Sequence, residues 1–445
     1  MNILHVNTTN SGGGAARIMA SMCAGLKTRG HDASELIGWG ENTGDCTSKM
    51  GGSLSEYDRL VALVWGQIEK RIPGAWKMRS KVRVVTHPVR TALNELGVED
   101  FCYPASRQLL KLAPWRPDLV NLHNLHGGYF DLRALSDLSR RVPTVLTLHD
   151  AWLLSGHCAH SVSCDRWLTG CGHCPALGIY VPIKRDASSF NWRRKERIYK
   201  KSSLAVVTPC KWLMGKVERS MLAPAVKMSE VIHNGVDVKT FKPGNRLAVR
   251  DELGLAENEF VMLAISPGGK SNPWKNSKLI LEAVEVVAKR GRAKNPVLLL
   301  VGGDIRREQI GGLRVESVGY QSSMLALVKY YQAADVYIHA AKADTFPTTI
   351  LESMACGIPV VAVAVDGIPE QVQDGVTGIL ITPGSVNDLA ETIESFSVNP
   401  ARRREMGVAA ERDVSARFTD EIMCSKYLVF YENWKERHRV LRQTG

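Results

Sequence analysis

The sequence predicts an α/β protein made of two Rossmann-like, doubly wound domains that face each other across a cleft. Three observations carry this expectation. Short apolar runs that read as strands alternate with helical stretches along most of the chain, the pattern of a parallel sheet covered by helices. The alternation breaks at the polar, Gly- and Pro-bearing segment GVDVKTFKPGNR and then restarts, which marks a boundary. The 445 residues also exceed what one compact core supports, domains being typically about 100–200 residues. The expected organisation is a first domain over 1–238, a second over 239–420, and a final helix over 421–445 that packs back toward the first.

The elements follow in order. NILHVN (2–7) is a buried strand, NSGGGAAR a glycine-rich turn, and the stretch to Arg29 a helix, with HDASELIGW the next strand. Residues 41–115 are less regular and read as an insertion holding one amphipathic helix, SEYDRLVALVWGQIEKRI (55–72). PDLVNLHN, PTVLTLHD, LAVVTP and KMSEVIHN supply four further strands. Beyond the boundary, FVMLAI, PVLLLVGG, VESVGY, DVYIHA, PVVAVAV and GILIT are strands. The helices between them include KNSKLILEAVEVVAKRG, SSMLALVKYYQAA and TTILESMACG, and the C-terminal region is helical. In such sheets the ligand site lies outside the carboxyl ends of the strands.

Composition narrows the class. The amino terminus lacks a basic segment ahead of an apolar core, so no signal peptide is expected. The longest apolar run, IPVVAVAV, is far shorter than the roughly 20 residues that span a bilayer. The expected location is the cytoplasm, with the inner face of the cell membrane as a peripheral site. A net charge of +12 favours anionic partners such as nucleotides, phosphates or lipid headgroups.

The richest segment is KADTFPTTILESMACGIPVVAVAVDGIPE (342–370). Asp344 and Glu352 flank a turn that opens a helix, and Pro347 sits where a first helical turn tolerates it. Thr348 and Thr349 then present backbone N–H groups suited to a diphosphate. A capped helix with two solvated acids is the alternative reading of the same residues.

This segment resembles the E-x7-E region of the large retaining GT-B glycosyltransferase group, family 4. The resemblance rests on Pro347, Glu352, Ala355, Gly357, Pro359, Val360 and Val361. Asp344 departs from it, standing where the family has Glu. SPGGKSNPWKN places Lys270 and Lys275 at the spacing of the family's Arg-x4-Lys pair, with Lys in the first place. VIHNGVDVKTFKP, containing Asn234, is similar to the family's interdomain segment. VNLHNLH and VLTLHD match two strand ends of its first domain. TLHDAW followed by the cysteine loop is similar to exopolysaccharide enzymes of the colanic-acid type.

The resemblance implies a GT-B fold and a hexosyltransferase-like activity in extracellular or capsular polysaccharide biosynthesis. A sugar would pass from a nucleotide-diphosphate donor to a saccharide or polyprenyl-diphosphate-linked acceptor, with retention and without a catalytic cofactor. His149 would contact the transferred sugar beside Asp150. Lys270 and Lys275 would offset the charge on the leaving diphosphate, and Asp344 and Glu352 would hold the donor. Gly13 and Gly14 in the first glycine loop, Asn234, Gly319, Thr348 and Thr349 would line the donor site.

Two features lie outside that pattern. GHCAHSVSCDRWLTGCGHCP (156–175) carries Cys158, Cys164, Cys171 and Cys174. Four thiolates closing on a C-x2-C suit a structural zinc. An iron–sulfur cluster or reduced packing thiols are the alternatives, disulfides being disfavoured in the cytoplasm. KRDASSFNWRRKERIYKKSS holds eight basic residues with Trp192 and Tyr199 interleaved. It is a solvated helix face or a surface for anionic lipid. Two rival functions remain: a zinc-containing nucleic-acid-binding protein, and an NAD-type oxidoreductase. Dispersed basic residues and 7% aromatic content weigh against the first, so no nucleic acid is expected as partner. The first strand is not followed by G-x-G-x-x-G, which weighs against the second.

Overall fold

A computed structural model describes residues 1–40, 47–50, 64, 67, 71, 88–266 and 274–444. The helix expected over 55–72 lies almost wholly outside them, and so does Lys270.

The chain divides into two compact units. The first comprises Met1–Thr208, Leu213–Val231 and Lys426–Gly445, the second Pro209–Trp212 and Ile232–Ser425.

In the first unit, seven strands form one parallel sheet in the order β3-β2-β1-β4-β5-β6-β7. They are β1 (Asn2–Thr9), β2 (Asp32–Trp39), β3 (Thr47–Lys49), β4 (Leu119–Leu122), β5 (Thr144–Thr147), β6 (Leu204–Thr208) and β7 (Val226–Val231). A parallel strand covered on both faces reads as a continuous apolar run. β4, β5 and β6 are buried at every residue. Strand order reverses between β1 and β4, where Ile3–Val6 pair with Leu119–Leu122. The loops after β1 and β4 therefore diverge and leave a crevice at their carboxyl ends. The long helix Asp420–Thr444 belongs to this unit from Lys426 onward. Tyr427, Phe430, Tyr431, Trp434 and His438 are buried, one stripe of that helix.

The second unit repeats the plan. Its strands are β8 (Phe260–Ile265), β9 (Pro296–Val301), β10 (Arg306–Ile310), β11 (Leu313–Val318), β12 (Val336–His339), β13 (Val360–Val363) and β14 (Gly378–Ile381). Their order is β10-β11-β9-β8-β12-β13-β14, so the reversal falls between β8 and β12. Among the described residues, only the edge hairpin β10–β11 is antiparallel. The helix Ser277–Arg290 lays Leu279, Ile280, Ala283, Val284 and Val287 on a core containing Met262, Leu298, Ile338 and Val361. Burying each larger aliphatic side chain there stabilises the unit by roughly 2 kcal/mol. Asp335, just before β12, receives Arg250 at 2.8 Å and Arg246 at 2.6 Å, and its carboxylate also accepts from Val261 N. Arg250 is only 1% exposed, so that pair ties the helix Arg246–Glu252 to the sheet.

Candidate functional site

Functional side chains collect at the reversal point of each sheet. In the first unit, β1 runs into the glycine turn. Gly12 has φ +81°, a left-handed conformation that glycine alone adopts without strain, and Gly13 is the extended residue ahead of the helix Gly14–Lys27. Gly13 and Gly14 are exposed, and no chain atom lies where a Cβ would stand on either. Their backbone is open to a ligand.

Opposite this turn, three imidazoles run in line. His5 Nδ1 is 3.1 Å from His123 Nε2, and His123 Nδ1 is 2.9 Å from His149 Nε2. The His123 and His149 rings lie within 14° of parallel. Burial lowers all three: His5 to about 3, His149 to about 4, and His123 well below its ordinary value with help from its two neighbours. They are neutral at pH 7. Asp150 Oδ2 meets His126 Nε2 at 2.8 Å, and Asp150 Oδ1 accepts from Trp152 N at 2.8 Å. Burial alone would raise the Asp150 carboxyl. The neighbouring His126 and these hydrogen bonds reverse that and hold it at about 2. Asp150 thus fixes the turn after β5 that carries His149.

In the second unit, Lys275 Nζ lies 2.7 Å from Asp344 Oδ2, and His339 Nε2 is 3.4 Å from the same oxygen. Burial would raise the Asp344 carboxyl, but the Lys275 charge and the His339 contact hold it far below the usual range. Asp366 accepts from Asp344 N at 3.1 Å. The helix Thr348–Ala355 follows. Pro347 is its N-cap rather than its first residue, and no side chain caps it, so the N–H groups of Thr348 and Thr349 carry the positive end of the helix dipole. The turn is braced by Gln371 Nε2 on Pro347 O (3.0 Å) and Asn234 Nδ2 on Phe346 O (3.2 Å). Glu352 is 2% exposed and stands on the second helical turn, where Tyr331 OH donates to its Oε2 at 2.8 Å. Gly319 follows β11, with only ordinary contact to Ile305 at its Cβ position.

The structure thus brings Lys275 and Asp344 together just ahead of the Thr348–Thr349 turn, and joins His149 to a line that includes His5 and His123. Sequence reasoning missed those two histidines, His126, His339 and Tyr331. It also missed Gly367, where a Cβ would stand 2.1 Å from Thr345 O, so any side chain there would push the turn aside.

Cys158, Cys164, Cys171 and Cys174, the expected zinc set, lie close enough together to act on one another electrostatically. Among the described residues no group of three or more His, Cys, Asp or Glu is arranged to hold a metal ion. The thiols form no disulfide; Gly156 N donates to Cys171 Sγ at 3.3 Å, and His157 Nε2 lies 3.2 Å from Cys174 Sγ. Burial pushes the Cys171 thiol up to about 12, which keeps it protonated.

Comparison with known proteins decides the family. The sequence profile described as Glycosyltransferase Family 4 matches residues 12–240, just over half of the chain. The chain belongs to glycosyltransferase family 4. A second profile, Glycosyl transferases group 1, matches residues 246–413 of this family 4 enzyme. The chain is 22% identical to the provisionally named colanic acid biosynthesis glycosyl transferase WcaC of Escherichia coli (strain K12), over 97% of its own length and 100% of that protein. It is 33% identical to the D-inositol 3-phosphate glycosyltransferase of Mycobacterium sp. (strain KMS), over 47% of this chain and 48% of that one. The chain spans about half the length of such curated relatives. Two solved structures share its fold, both at 18% identity. Sucrose-phosphate synthase from Thermosynechococcus elongatus has a TM-score of 0.65 and coverage of 97% and 98%. The Anabaena HepE protein in complex with UDP-glucose has 0.62, with 97% and 100%. The expected GT-B architecture of two Rossmann-like domains is therefore shown. Neither the oxidoreductase nor the zinc-containing nucleic-acid-binding alternative finds support among these relatives. Among the described residues no helix is long and apolar enough to cross a membrane.

Proposed function

We propose that this glycosyltransferase takes a sugar from a nucleotide-diphosphate donor, with the second unit as donor domain and the first as acceptor domain. The observation that carries the reading is the Lys275–Asp344 ion pair beside a helix N-terminus without a side-chain cap. As the bond from the anomeric carbon to the phosphate oxygen breaks, negative charge grows on the diphosphate. The Lys275 ammonium and the Thr348 and Thr349 N–H groups are donors aimed at that charge. Asp344 holds Lys275 in place. Glu352, oriented by Tyr331, accepts from a donor hydroxyl, and His149 contacts the transferred sugar. Gly13 and Gly14 admit ligand to the first unit's backbone, while Asn234 and Gly319 border the nucleotide. Lys270 would add a second cation.

The acceptor is a saccharide or lipid-linked saccharide of an extracellular or capsular polysaccharide, a reading supported by the full-length likeness to WcaC. Transfer proceeds with retention by attack on the face the leaving group departs from. The basic helix Ser188–Tyr199 serves an anionic membrane only in part. Its Lys195 is buried on Glu99 at 3.1 Å, while Lys184, Arg185, Arg193, Arg197, Lys200 and Lys201 are exposed.

The test is a panel of UDP-, GDP- and ADP-sugars, read by thermal shift and by transfer to polyprenyl-diphosphate-linked saccharides. One nucleotide class should stabilise the protein and turn over, and the product's anomeric configuration, read by NMR, should match the donor's. Absence of stabilisation by every nucleotide, or an inverted product, would overturn the proposal.

A further inference from the structure

The line His5–His123–His149 is longer than a single sugar contact requires, and its polar surroundings choose a direction for it. A neutral imidazole carries one ring proton. With the two contacts at 3.1 and 2.9 Å, only two neutral arrangements satisfy both. In one, every ring is protonated on Nδ1: His5 donates to His123, His123 donates to His149, and His149 Nδ1–H is left over. In the other, every ring is protonated on Nε2, donation runs the opposite way, and His149 Nδ1 is a bare acceptor. Burial keeps the rings neutral, so a doubly protonated His123 is not an alternative.

Two independent observations select the first arrangement. Tyr427 OH lies 3.4 Å from Thr147 Oγ1, and Thr147 Oγ1 donates to Asn121 Oδ1 at 2.9 Å. That turns the Asn121 amide nitrogen toward Tyr431 OH at 2.8 Å and toward His123 Nε2 at 3.4 Å. A donor facing Nε2 requires a lone pair there, so the His123 proton sits on Nδ1. At the far end, His5 Nε2 is buried with no partner among the described residues. In the first arrangement that atom is an unused lone pair; in the second it is an orphaned N–H, the rarer defect in folded proteins.

We propose that His123 is a positioning residue which, with Asn121 set by Thr147 and Tyr431, locks His149 in the Nδ1–H form, so that His149 offers the transferred sugar a hydrogen-bond donor rather than a base. The inference rests on the reading that His149 faces the donor sugar. His149 is half-buried, and its Nδ1 has no bond to a described residue. The recognised group is then a sugar oxygen with a free lone pair, a hydroxyl or ring oxygen.

The full chain labelled with ¹⁵N-histidine tests this directly. Long-range ¹H–¹⁵N correlation spectra at pH 7, assigned with single-histidine variants, should show His5, His123 and His149 all protonated on Nδ1. An Nε2–H form of His123 or His149 overturns the proposal, and the measurement is made on unaltered protein. Kinetics give a second readout, with the sugar nucleotide that the panel selects. His123→Leu removes the donor to His149 and should lower kcat at least about tenfold, the order of one hydrogen bond made in the transition state. Its Kd for the free nucleoside diphosphate should stay within about twofold. His123→Asn places an amide N–H near the former Nδ1 and should recover most of that loss. Equal losses in the two variants would make His123 a mere packing residue. If His149→Ala retains full transfer, the placement of His149 at the sugar fails and this inference with it. If His149→Ala abolishes transfer while His149 is found as Nε2–H, the inference alone fails.

Discussion

Lowering the pH from 7 to 5 should weaken the first unit by about 4 kcal/mol through His5 and His149 alone. Both have folded-state values, about 3 and about 4, below the ordinary 6.5, because burial penalises the charged ring. In the unfolded chain each takes up a proton as the pH falls through 6.5, while the folded protein resists until near 4 and 3. The unfolded state therefore binds more protons across this window. Stability is fully present above pH 6.5 and is lost as the pH falls toward the folded values. At pH 5 the deficit is about 1.5 units, or about 2 kcal/mol per ring. The pair together approaches the lower end of the roughly 5–15 kcal/mol that stabilises a domain. His123 adds in the same direction. Glu35 and Glu99, raised by burial, act with the opposite sign, so a variant must isolate the histidine part. Hydrogen exchange of the Asn2–Thr9 amides at pH 7, 6 and 5, corrected for intrinsic rates, reports the opening of this unit by itself. His5→Asn removes one titrating ring and should flatten the fall by about 2 kcal/mol. An opening free energy that does not change with pH, or a variant that keeps the whole slope, would refute the reasoning.

Other perturbations address the second unit. Lys275→Ala should lower kcat by about 10²-fold, since a donor to the developing charge is lost; a change confined to KM would make Lys275 a uniform binder instead. Glu352→Gln should weaken donor affinity or turnover at least about tenfold by removing a charge-assisted acceptor, measured by calorimetry with the active sugar nucleotide; near-normal values would remove Glu352 from the site. Asp335→Ala leaves the Arg250 guanidinium buried without its partner and should cost about 3–5 kcal/mol, read as a drop in the melting temperature. Arg246→Ala, whose side chain is 43% exposed, should cost less than about 1 kcal/mol, and equal losses would deny Arg250 its special place.

Much of the fold was legible because parallel strands buried on both faces announce themselves as apolar runs. FVMLAI is β8 residue for residue, and VLTL ends where His149 and Asp150 begin. Arg306–Ile310 escaped because RREQI has one apolar residue in five and lies on a sheet edge, mostly open to water. Thr47–Lys49 is three residues long and equally silent. At the candidate site, the residues the sequence singles out are tied to a local pattern: His149 after a strand, Asp344 and Glu352 around a turn. Those that act through a neighbour on another strand are not. His5 and His123 stand 118 residues apart, and their pairing depends on β1 lying beside β4. A signal was available, since a histidine in an otherwise apolar buried run needs a partner. Pairing it required the sheet order. The cysteine loop was legible as a cluster, since its four thiols act on one another electrostatically.

The first unit draws its last segment, Lys426–Gly445, from the far end of the chain. Tyr431 from that segment accepts the Asn121 amide, and Lys435 pairs with Asp118 at 2.9 Å. During synthesis the sheet that holds the three histidines can therefore assemble early, yet it waits for the whole second unit to be translated before its inner polar network closes. A ribosome that stops near residue 425 would release a chain containing every residue matched by the two family profiles. That chain would have Asn121 facing the space left by a tyrosine. Chains stopped or trimmed near residue 425 should therefore fold the second unit normally and be cleared through the first, so the helix Asp420–Thr444 couples the integrity of the first unit to residues made after the second.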